Sequence, residues 1–405
     1  MFKTLLNILF LLVSFRVACA DFSSDIAELL FEPSEKFYDK TKSPLSVKLG
    51  ASYIDNYVPL LASDISASSV SLFAKGSFVS KKEVHWLEVK FNGKLNQYFL
   101  DEMDLKVDDK FAAIDIGITN RFFLTKRFAV DLNVSHRTLD EYIGTGISKF
   151  RSEISIADTV SINQGSVSLR YGADTDFRSV ILTFSKSDRD YRDRNIYSDL
   201  FDLEQDVISL YSSFRLSDLT QLIAQIEYRD LKYQFASSLD SQFYKALTGF
   251  EWFPGGKSKV LALVGVYKRQ YISIDDSSGI NWELAVDYFP REDLSINIAS
   301  ERRSTSGESS ELAVDTIEED NKFEMVYRYS EQWWWGVFVE NKKIDFQELA
   351  NNRSTEEVNY GLSFRINVLD HSLIDMAIGS SHTQDDFNKT DFIQNRANIS
   401  WLYEF

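Results

Sequence analysis

The sequence is poor in cysteine and in proline. Cys19 is the only cysteine among 405 residues, and there are five prolines. Without a second cysteine no intramolecular disulfide can form, and a thiolate metal site is disfavoured. The four histidines are His85, His136, His371 and His382, and no pair of them has metal-ligand spacing. We therefore expect no metal and no cofactor. Proline interrupts a strand ladder, so its scarcity permits many strands.

Long apolar runs and excess basic charge are missing as well. After residue 20, no stretch has the ~18 consecutive apolar residues that a membrane-spanning helix needs. The hydrophobic fraction of 44% is low for a helical membrane protein. Lys and Arg number 44 against 61 Asp and Glu, which gives a net charge of −17. Nucleic-acid phosphates require a basic surface, so the composition argues against a nucleic-acid partner.

One strong apolar run is present, and it begins the sequence as "MFKTLLNILFLLVSFRVACADFSS". Lys3 precedes a short apolar centre from Leu5 to Phe15, and Ala18-Cys19-Ala20 fits the small-residue rule for signal cleavage. Arg16 cuts the run short for an anchor helix and stands where a lipoprotein signal usually has leucine. We predict a signal peptide over 1–20, whose removal takes away the only thiol.

Alternation of apolar and polar residues dominates the rest of the sequence. The segments "FAVDLNVSHR", "WELAVDY" and "VNYGLSFRINV" show it most plainly. A period of two is typical of a strand, because successive side chains point to opposite faces. The aromatic content of 14% also favours strands. We find 18 such stretches, near 45–53, 68–80, 83–98, 110–121, 127–139, 164–173, 177–188, 205–216, 219–232, 243–253, 258–271, 280–289, 293–303, 321–330, 332–344, 356–368, 372–382 and 393–405.

The connections between these stretches alternate between short turns and longer, polar loops. This rhythm is typical of membrane barrels, which have tight periplasmic turns and longer extracellular loops. A soluble sandwich is the alternative, but it would bury the many charges of the polar face. We predict an all-β protein, a transmembrane antiparallel β-barrel of about 18 strands over 45–405, or 16 if two weak early stretches merge. Residues 21–44 would form a periplasmic N-terminal leader, either flexible or acting as a plug or docking peptide.

In such a barrel the apolar row faces lipid and the charged row faces a wet lumen. The sequence therefore predicts a lumen lined by charged residues of both signs. The lumen-lining candidates are Lys75, Lys90, Asp115, Asp131, Arg137, Arg170, Arg215, Glu227, Arg229, Glu283, Asp287, Glu324, Arg328 and Arg365.

Aromatic residues at strand ends predict contacts with the membrane interface. In the triplet 333–335, Trp333 and Trp335 would face the periplasmic headgroups, whereas the middle ring would face inward and is open to a role as a sugar platform. In the final segment "NISWLYEF", Trp401, Tyr403 and Phe405 share one face. This terminal aromatic strand resembles the signal that the barrel-assembly machinery recognises. Outer-membrane lipid and lipopolysaccharide are further expected partners.

Catalytic and calcium-binding alternatives have weaker support. The acidic segments 188–193 and 318–320 supply oxygen ligands but lack the spacing of a specific calcium loop. We interpret them as solvated outer loops. Ser380 and His382 share a strand face near a loop, which leaves a hydrolase as a minor alternative. The prediction is that the chain is not an enzyme.

Two neighbouring segments, "GFEWFPGGKSKVLALVGVYKRQY" and "INWELAVDYFPREDLSINIASERRS", carry a family resemblance. Each combines a Trp, a Pro-containing turn and a strand that ends in basic residues. They resemble the EpsL-like outer-membrane β-barrel (porin-like) family associated with exopolysaccharide and capsule biosynthesis, most specifically over Gly249–Arg303. "KLGASYIDNYVP" is similar to that family's first strand. The resemblance implies no catalytic residue.

What the resemblance implies is export of a polysaccharide through the bacterial outer membrane, together with a periplasmic polysaccharide-export protein. The expected function is thus an outer-membrane channel for an extracellular or capsular polysaccharide. The alternative is a general or solute-specific porin for small hydrophilic molecules. A structural or adhesive barrel, with acidic loops on lipopolysaccharide or divalent cations, is a third hypothesis.

Overall fold

The chain forms a closed β-barrel of 18 antiparallel strands. The computed structural model describes residues 45–55, 66–82, 84–100, 109–141, 158–172, 177–193, 201–272, 275–305, 315–347, 352–369, 371–386 and 390–405. Each strand pairs with its neighbours in sequence, and β1 also pairs with β18, which closes the ring. The predicted fold class and the strand count of 18 are confirmed.

The strands are 10 to 18 residues long. Their bounds are β1 (Leu45–Ile54), β2 (Ala67–Lys82), β3 (His85–Leu100), β4 (Lys110–Phe123), β5 (Phe128–Glu141), β6 (Asp158–Tyr171), β7 (Arg178–Tyr191), β8 (Leu203–Ser217), β9 (Thr220–Tyr233), β10 (Ser241–Trp252), β11 (Ser258–Tyr271), β12 (Ser277–Arg291), β13 (Leu294–Thr305), β14 (Asp315–Arg328), β15 (Trp333–Gln347), β16 (Asn352–Leu369), β17 (Ser372–Asp385) and β18 (Thr390–Glu404).

The seam between β1 and β18 has a regular register. Ser46 lies opposite Glu404 and Ile54 opposite Arg396, with every residue between them paired. The backbone N–H of Phe405 donates to the carbonyl of Leu45 at 3.0 Å. A closed ring leaves no strand edge, and this is what a sheet needs in lipid, which offers no hydrogen-bond partner.

Short connections alternate with longer ones along most of the chain, as predicted. At one end of the barrel, intervals such as 218–219 and 292–293 are tight turns. Gly255 and Gly256 have φ values of 68° and 73° in another of these turns, a backbone region that favours glycine. At the other end, the interval 142–157 is long, whereas the interval 386–389 has only four residues because β17 and β18 extend farther.

The interpretation of the two acidic segments as solvated outer loops is wrong for most of their residues. Residues 188–191 belong to β7, and Glu318–Asp320 belong to β14. The strand ends predicted from the sequence lie where the outward-facing residues become polar. The alternation of faces nevertheless continues there, because the strands extend beyond the apolar band.

Helical structure contributes little to the described residues. Two 3-10 turns, Ser237–Leu239 and Pro254–Gly256, connect β9 to β10 and β10 to β11. Within the ranges that the structure describes, no helix has the length and apolar character needed to cross a membrane. The predicted signal peptide over 1–20 and the leader over 21–44 lie outside the described residues.

The two faces of the barrel wall differ sharply in composition. On β9, Ile226 is 56% exposed on the outer face, and Leu222 on the same face is 44% exposed. Large exposed apolar residues recur at this alternating position on strands around the ring, including Leu49, Val134 and Ile378. A continuous apolar outer surface on a closed barrel is suited to lipid.

Candidate functional site in the barrel lumen

The inner face of the barrel carries the charged residues. Paired residues of neighbouring antiparallel strands share a face, so the register assigns each residue to one side of the wall. All fourteen predicted lumen residues lie on the face opposite the exposed apolar row. Lys75 is exposed although it faces inward, so solvent has room beside it. Whether these residues contact a transported molecule stays a prediction.

A three-residue ion cluster lies on the inner face of β4, β5 and β6. Asp131 is 4% exposed and accepts two hydrogen bonds from Arg121, at 2.6 and 2.8 Å. Arg170 approaches the same carboxylate at 3.3 Å from the other side. Arg121 is a residue that the sequence prediction missed, although it shares the face of Asp115. Charge-assisted pairs of this kind hold the side chains in a fixed orientation.

A second cluster centres on Glu227 of β9. Arg229, two residues along the same face, pairs with Glu227, and Lys245 of β10 lies 3.2 Å from it. Arg229 also lies over the ring of Phe243 at 5.4 Å, and Arg269 approaches that ring at 5.0 Å. Cations and an aromatic ring thus alternate along this part of the inner wall.

The wall formed by β13 to β15 pairs its charges in the same way. Arg303 donates to Glu318 at 2.9 Å, and Lys322 lies 2.8 Å from both Asp320 and Glu340. The sequence prediction did not include these five residues among the lumen candidates. The available signal was the alternation itself, which places them on the inner face once β14 is extended to Asp315.

Two loops fold inward at the end of the barrel with the longer connections. Leu239, in the turn between β9 and β10, packs with inward-facing Leu231, Phe243 and Tyr267. Phe201, before β8, is 1% exposed and packs with Val160 and Tyr191. The sequence does not indicate this narrowing, because nothing local distinguishes a loop that folds into the lumen from one that points away.

Hydrogen bonds between side chains and the main chain hold these loops in place. The carboxylate of Asp240 accepts from the backbone N–H of Tyr233 at 2.7 Å. Arg189 donates to the carbonyl of Phe201 at 3.0 Å, and Asp202 accepts from the backbone N–H of Tyr191 at 2.7 Å. One side of the mouth is therefore narrowed by anchored segments.

Ion pairs also occur outside the lumen at this end. Lys268 lies 2.9 Å from Asp276, which is in the connection between β11 and β12. The hydrogen bond from Lys268 holds the pKa of Asp276 below its usual range, and a hydrogen bond from Gln270 acts in the same direction. This carboxylate is therefore ionised at neutral pH and belongs to the polar rim.

The predicted interfacial aromatics lie on the outer face near the short turns. Trp333, Trp401 and Phe405 are 50%, 42% and 64% exposed. Tyr403 makes an edge contact with Phe405 at 4.8 Å between ring centroids. Trp335 packs edge-on against an outward tyrosine of β14 in the same way. Exposed aromatics at one level of the outer wall are typical of an interfacial girdle.

The catalytic alternatives gain no geometry from the fold. Ser380 and His382 both face outward, away from the lumen, and no hydrogen bond joins them in the described part of the chain; His382 instead contacts Asp391 at 2.5 Å. His136 also faces outward and contacts Asn163 at 2.7 Å. Among the described residues, no three His, Cys, Asp or Glu side chains are grouped so as to hold a metal. That the chain is not an enzyme remains a prediction.

Comparisons with known proteins support the architecture. No protein-family model and no curated protein matches the sequence. Among solved structures, the FrpB iron transporter of Neisseria meningitidis (F5-1 variant, apoprotein form) is similar with a TM-score of 0.50 and 12% identity, over 87% of this chain and 63% of that chain. The chain thus spans less than two thirds of the length of FrpB.

Two further structures are shorter proteins of similar extent. OccK5 (OpdH) of Pseudomonas aeruginosa has a TM-score of 0.49 and 11% identity, over 89% of this chain and 98% of that chain. OccAB2 of Acinetobacter baumannii has a TM-score of 0.49 and 8% identity, over 90% and 98%. At such identities the likeness concerns the fold.

The closed barrel, its apolar outer surface and its similarity in fold to FrpB lead to one conclusion about location. Barrels of this kind reside in the bacterial outer membrane, and the predicted location is confirmed. A barrel of 16 to 18 strands is wide enough for an aqueous channel. The chain is an outer-membrane β-barrel.

Proposed function

We propose that this chain is a channel for the export of an extracellular or capsular polysaccharide. The observation that carries the proposal is a lumen wall on which many charges of opposite sign are paired with each other. Asp131 is shared by Arg121 and Arg170, and Glu227 is shared by Arg229 and Lys245. Paired charges hydrate a hydrophilic polymer and offer hydrogen bonds without binding any one unit strongly.

Sugar hydroxyls both donate and accept hydrogen bonds, and the wall offers both partners at short intervals. Asp287 and Asn297 lie side by side, with a hydrogen bond of 2.6 Å between them. Farther around the ring, Asn359 on β16 donates to Glu340 on β15 at 3.2 Å. A polymer that moves along such a wall exchanges one hydrogen bond for another of similar strength. No single position therefore binds it tightly.

The proposal includes partners that the sequence resemblance implies. A periplasmic polysaccharide-export protein would dock at the end with the short turns and deliver the polymer. The barrel-assembly machinery would insert the chain, and lipopolysaccharide would surround the outward polar ends of the strands.

A porin for small hydrophilic molecules is the second candidate, and one observation favours it. The inward packing of Phe201 and Leu239 narrows one side of the mouth, which suits solutes smaller than a polymer. Under export, these loops would have to leave room for a polysaccharide chain on the remaining side of the mouth.

A clean deletion in the source bacterium separates the two candidates. Under export, polymer accumulates in the periplasm while synthesis continues, and plasmid-borne wild-type chain restores surface polymer. Normal surface polymer in the deletion strain contradicts export. The porin is supported if surface polymer stays normal in the deletion strain and the purified barrel conducts ions and lets a small sugar pass freely.

A further inference from the structure

Four lysines are grouped on the inner face of β1 to β3. Lys75 lies on β2, opposite Ser46 of β1 and Asn92 of β3. The other three lysines are each two residues along the strand from one of these partners, and they are Lys48, Lys90 and Lys94. Diagonal neighbours of this kind are about 7–8 Å apart across an antiparallel pair. We call these four residues the lysine cluster.

The charge of the lysine cluster is only partly neutralised by nearby carboxylates. Glu88, which lies 3.0 Å from Lys90, is the one acidic residue on the described inner face of β1 to β3. Asp115, on β4, lies opposite an arginine of β5 in the register. Among the residues that the structure describes, no carboxylate lies within ion-pairing distance of Lys48 or Lys75. Lys75 is exposed, so the excess positive charge is in a part of the lumen that solvent reaches.

Carboxylates are in excess on the inner face of β12 to β14. Glu283, Glu301 and Asp320 lie directly opposite one another in the register, one on each strand. Six acidic residues face inward on these strands against three basic ones: Glu283, Asp287, Glu301, Glu318, Asp320 and Glu324, against Arg303, Lys322 and Arg328. This part of the wall therefore has an excess negative charge.

The two charged walls face each other across the lumen at a similar depth. Seven strand positions separate β2 from β13 by the shorter way round the ring of 18 strands. Lys75 is seven residues from the end of β2 at Lys82, and Glu301 is seven residues from the start of β13 at Leu294. Both distances are counted from the end with the short turns. An anion in the lumen is therefore attracted to one wall and repelled when it approaches the other.

Grouping like charges on one wall costs free energy when the lumen holds no counter-charge. Elsewhere on the inner face the chain avoids this cost, since Asp131 lies between Arg121 and Arg170. A local departure from charge balance is typical of a functional surface, where a ligand supplies the opposite charge. The lysine cluster thus fits a ligand that carries several negative charges along its length.

We propose that the lysine cluster is a track for an anionic polysaccharide, one whose sugar units carry carboxylates. The assignment rests on the proposed export function and names the class of polymer. Successive carboxylates of the polymer bind the lysines, whose flexible and hydrated side chains let the polymer move from one to the next. The acidic wall of β12 to β14 keeps the polymer on the side of β1 to β3.

Binding of two labelled probes of equal length, hexagalacturonate and the neutral maltohexaose, tests the track. The full chain in micelles of an uncharged detergent is titrated, and fluorescence anisotropy of the same uncharged dye on each probe reports binding whether or not the barrel conducts. We expect hexagalacturonate to bind more tightly than maltohexaose. Its affinity falls when NaCl is raised from about 0.1 to 1 M, because the Debye length decreases from about 10 to about 3 Å, whereas that of maltohexaose stays the same.

Single lysine variants locate the binding. Lys75→Gln is expected to weaken hexagalacturonate roughly three-fold, the Coulomb effect of one charge about 7 Å away in water. Lys48→Gln together with Lys75→Gln weakens it roughly ten-fold, because the effects of separate charges multiply. Lys259→Gln is the matched control and leaves the affinity unchanged, since it removes an inward lysine of β11 that pairs with Glu251. Heat-modifiability on a gel checks that each variant is folded.

Three results overturn the track. They are equal affinity for the two probes in wild type, an affinity for hexagalacturonate that salt does not change, and equal weakening by Lys75→Gln and Lys259→Gln. Unlabelled galacturonate separates a polymer from a small acidic solute, because six linked units bind the cluster together. We expect the monomer to compete only well above six times the concentration of unlabelled hexagalacturonate, and competition at equal concentration of sugar units overturns the polymer assignment.

The outcome is separable from that of the export proposal. Normal surface polymer in a deletion strain contradicts export even if hexagalacturonate binds the lysine cluster. Loss of surface polymer on deletion, together with equal affinity for the two probes, contradicts the track alone.

Discussion

The assignment of inner and outer faces predicts opposite effects of one substitution at two adjacent positions. Ile226 and Gln225 are neighbours on β9. Ile226 lies on the outer face between outward-facing Leu210 and Ala246, whereas Gln225 shares the inner face with Glu227. A lysine at either position adds the same charge to the same strand, so the comparison isolates which side of the wall receives it.

The magnitude follows from the surroundings of each position. A cation on the lipid face of a barrel costs about 2–4 kcal/mol at the bilayer midplane and less near the interface. Ile226 is within the apolar row and 56% exposed to lipid, although a lysine stem can bend toward the interface. We expect Ile226→Lys to lower the free energy of unfolding by about 2–3 kcal/mol, and Gln225→Lys by less than about 1 kcal/mol.

Reversible guanidinium unfolding in phospholipid vesicles, followed by tryptophan fluorescence, measures both values. About 3 kcal/mol corresponds to more than a hundred-fold change in the folding equilibrium, well above the error of extrapolation. Equal losses in the two variants, or a larger loss in Gln225→Lys, would refute the assignment of faces.

Three further outcomes are expected. Asp131→Ala leaves Arg121 and Arg170, each about a quarter exposed, without their shared carboxylate, so the free energy of unfolding falls by about 2 kcal/mol. Asp131→Asn, which still accepts a hydrogen bond, loses less, and equal losses would contradict this. Replacing residues 235–239 with a Gly-Ser linker removes Leu239 from the mouth and raises single-channel conductance; an unchanged conductance shows that these residues do not narrow the path. Removing Phe405 lowers the amount of heat-modifiable barrel in outer-membrane fractions, with Phe405→Tyr as the matched control, whereas the conductance of the channels that do insert stays the same.

Several features of the fold were predictable from local pattern. A period of two in segments such as 128–137 and 358–368 predicts strands whatever the rest of the chain does, since the side-chain direction alternates residue by residue. Asp131 and Arg365 could be placed on the inner face for the same reason. The number of strands followed from counting these segments and the turns between them.

Strand ends were less predictable because the apolar row stops at the membrane boundary while the hydrogen-bonded ladder continues. Glu318 and Asp320 belong to a strand even though their sequence surroundings are acidic and polar. Arg303 and Lys322 pair with these two carboxylates, which would be exposed to water in a loop.

The amino-acid sequence by itself determined which side chains point to lipid and which to the lumen, because that choice depends only on the parity of each position along a strand. Only the tertiary structure decided which of the inner residues meet. Asp131 joins Arg121 and Arg170, and Trp334 stands beside Arg365, because the register between strands brings residues from distant parts of the chain to one level. That register is a property of the closed ring, and no single strand specifies it.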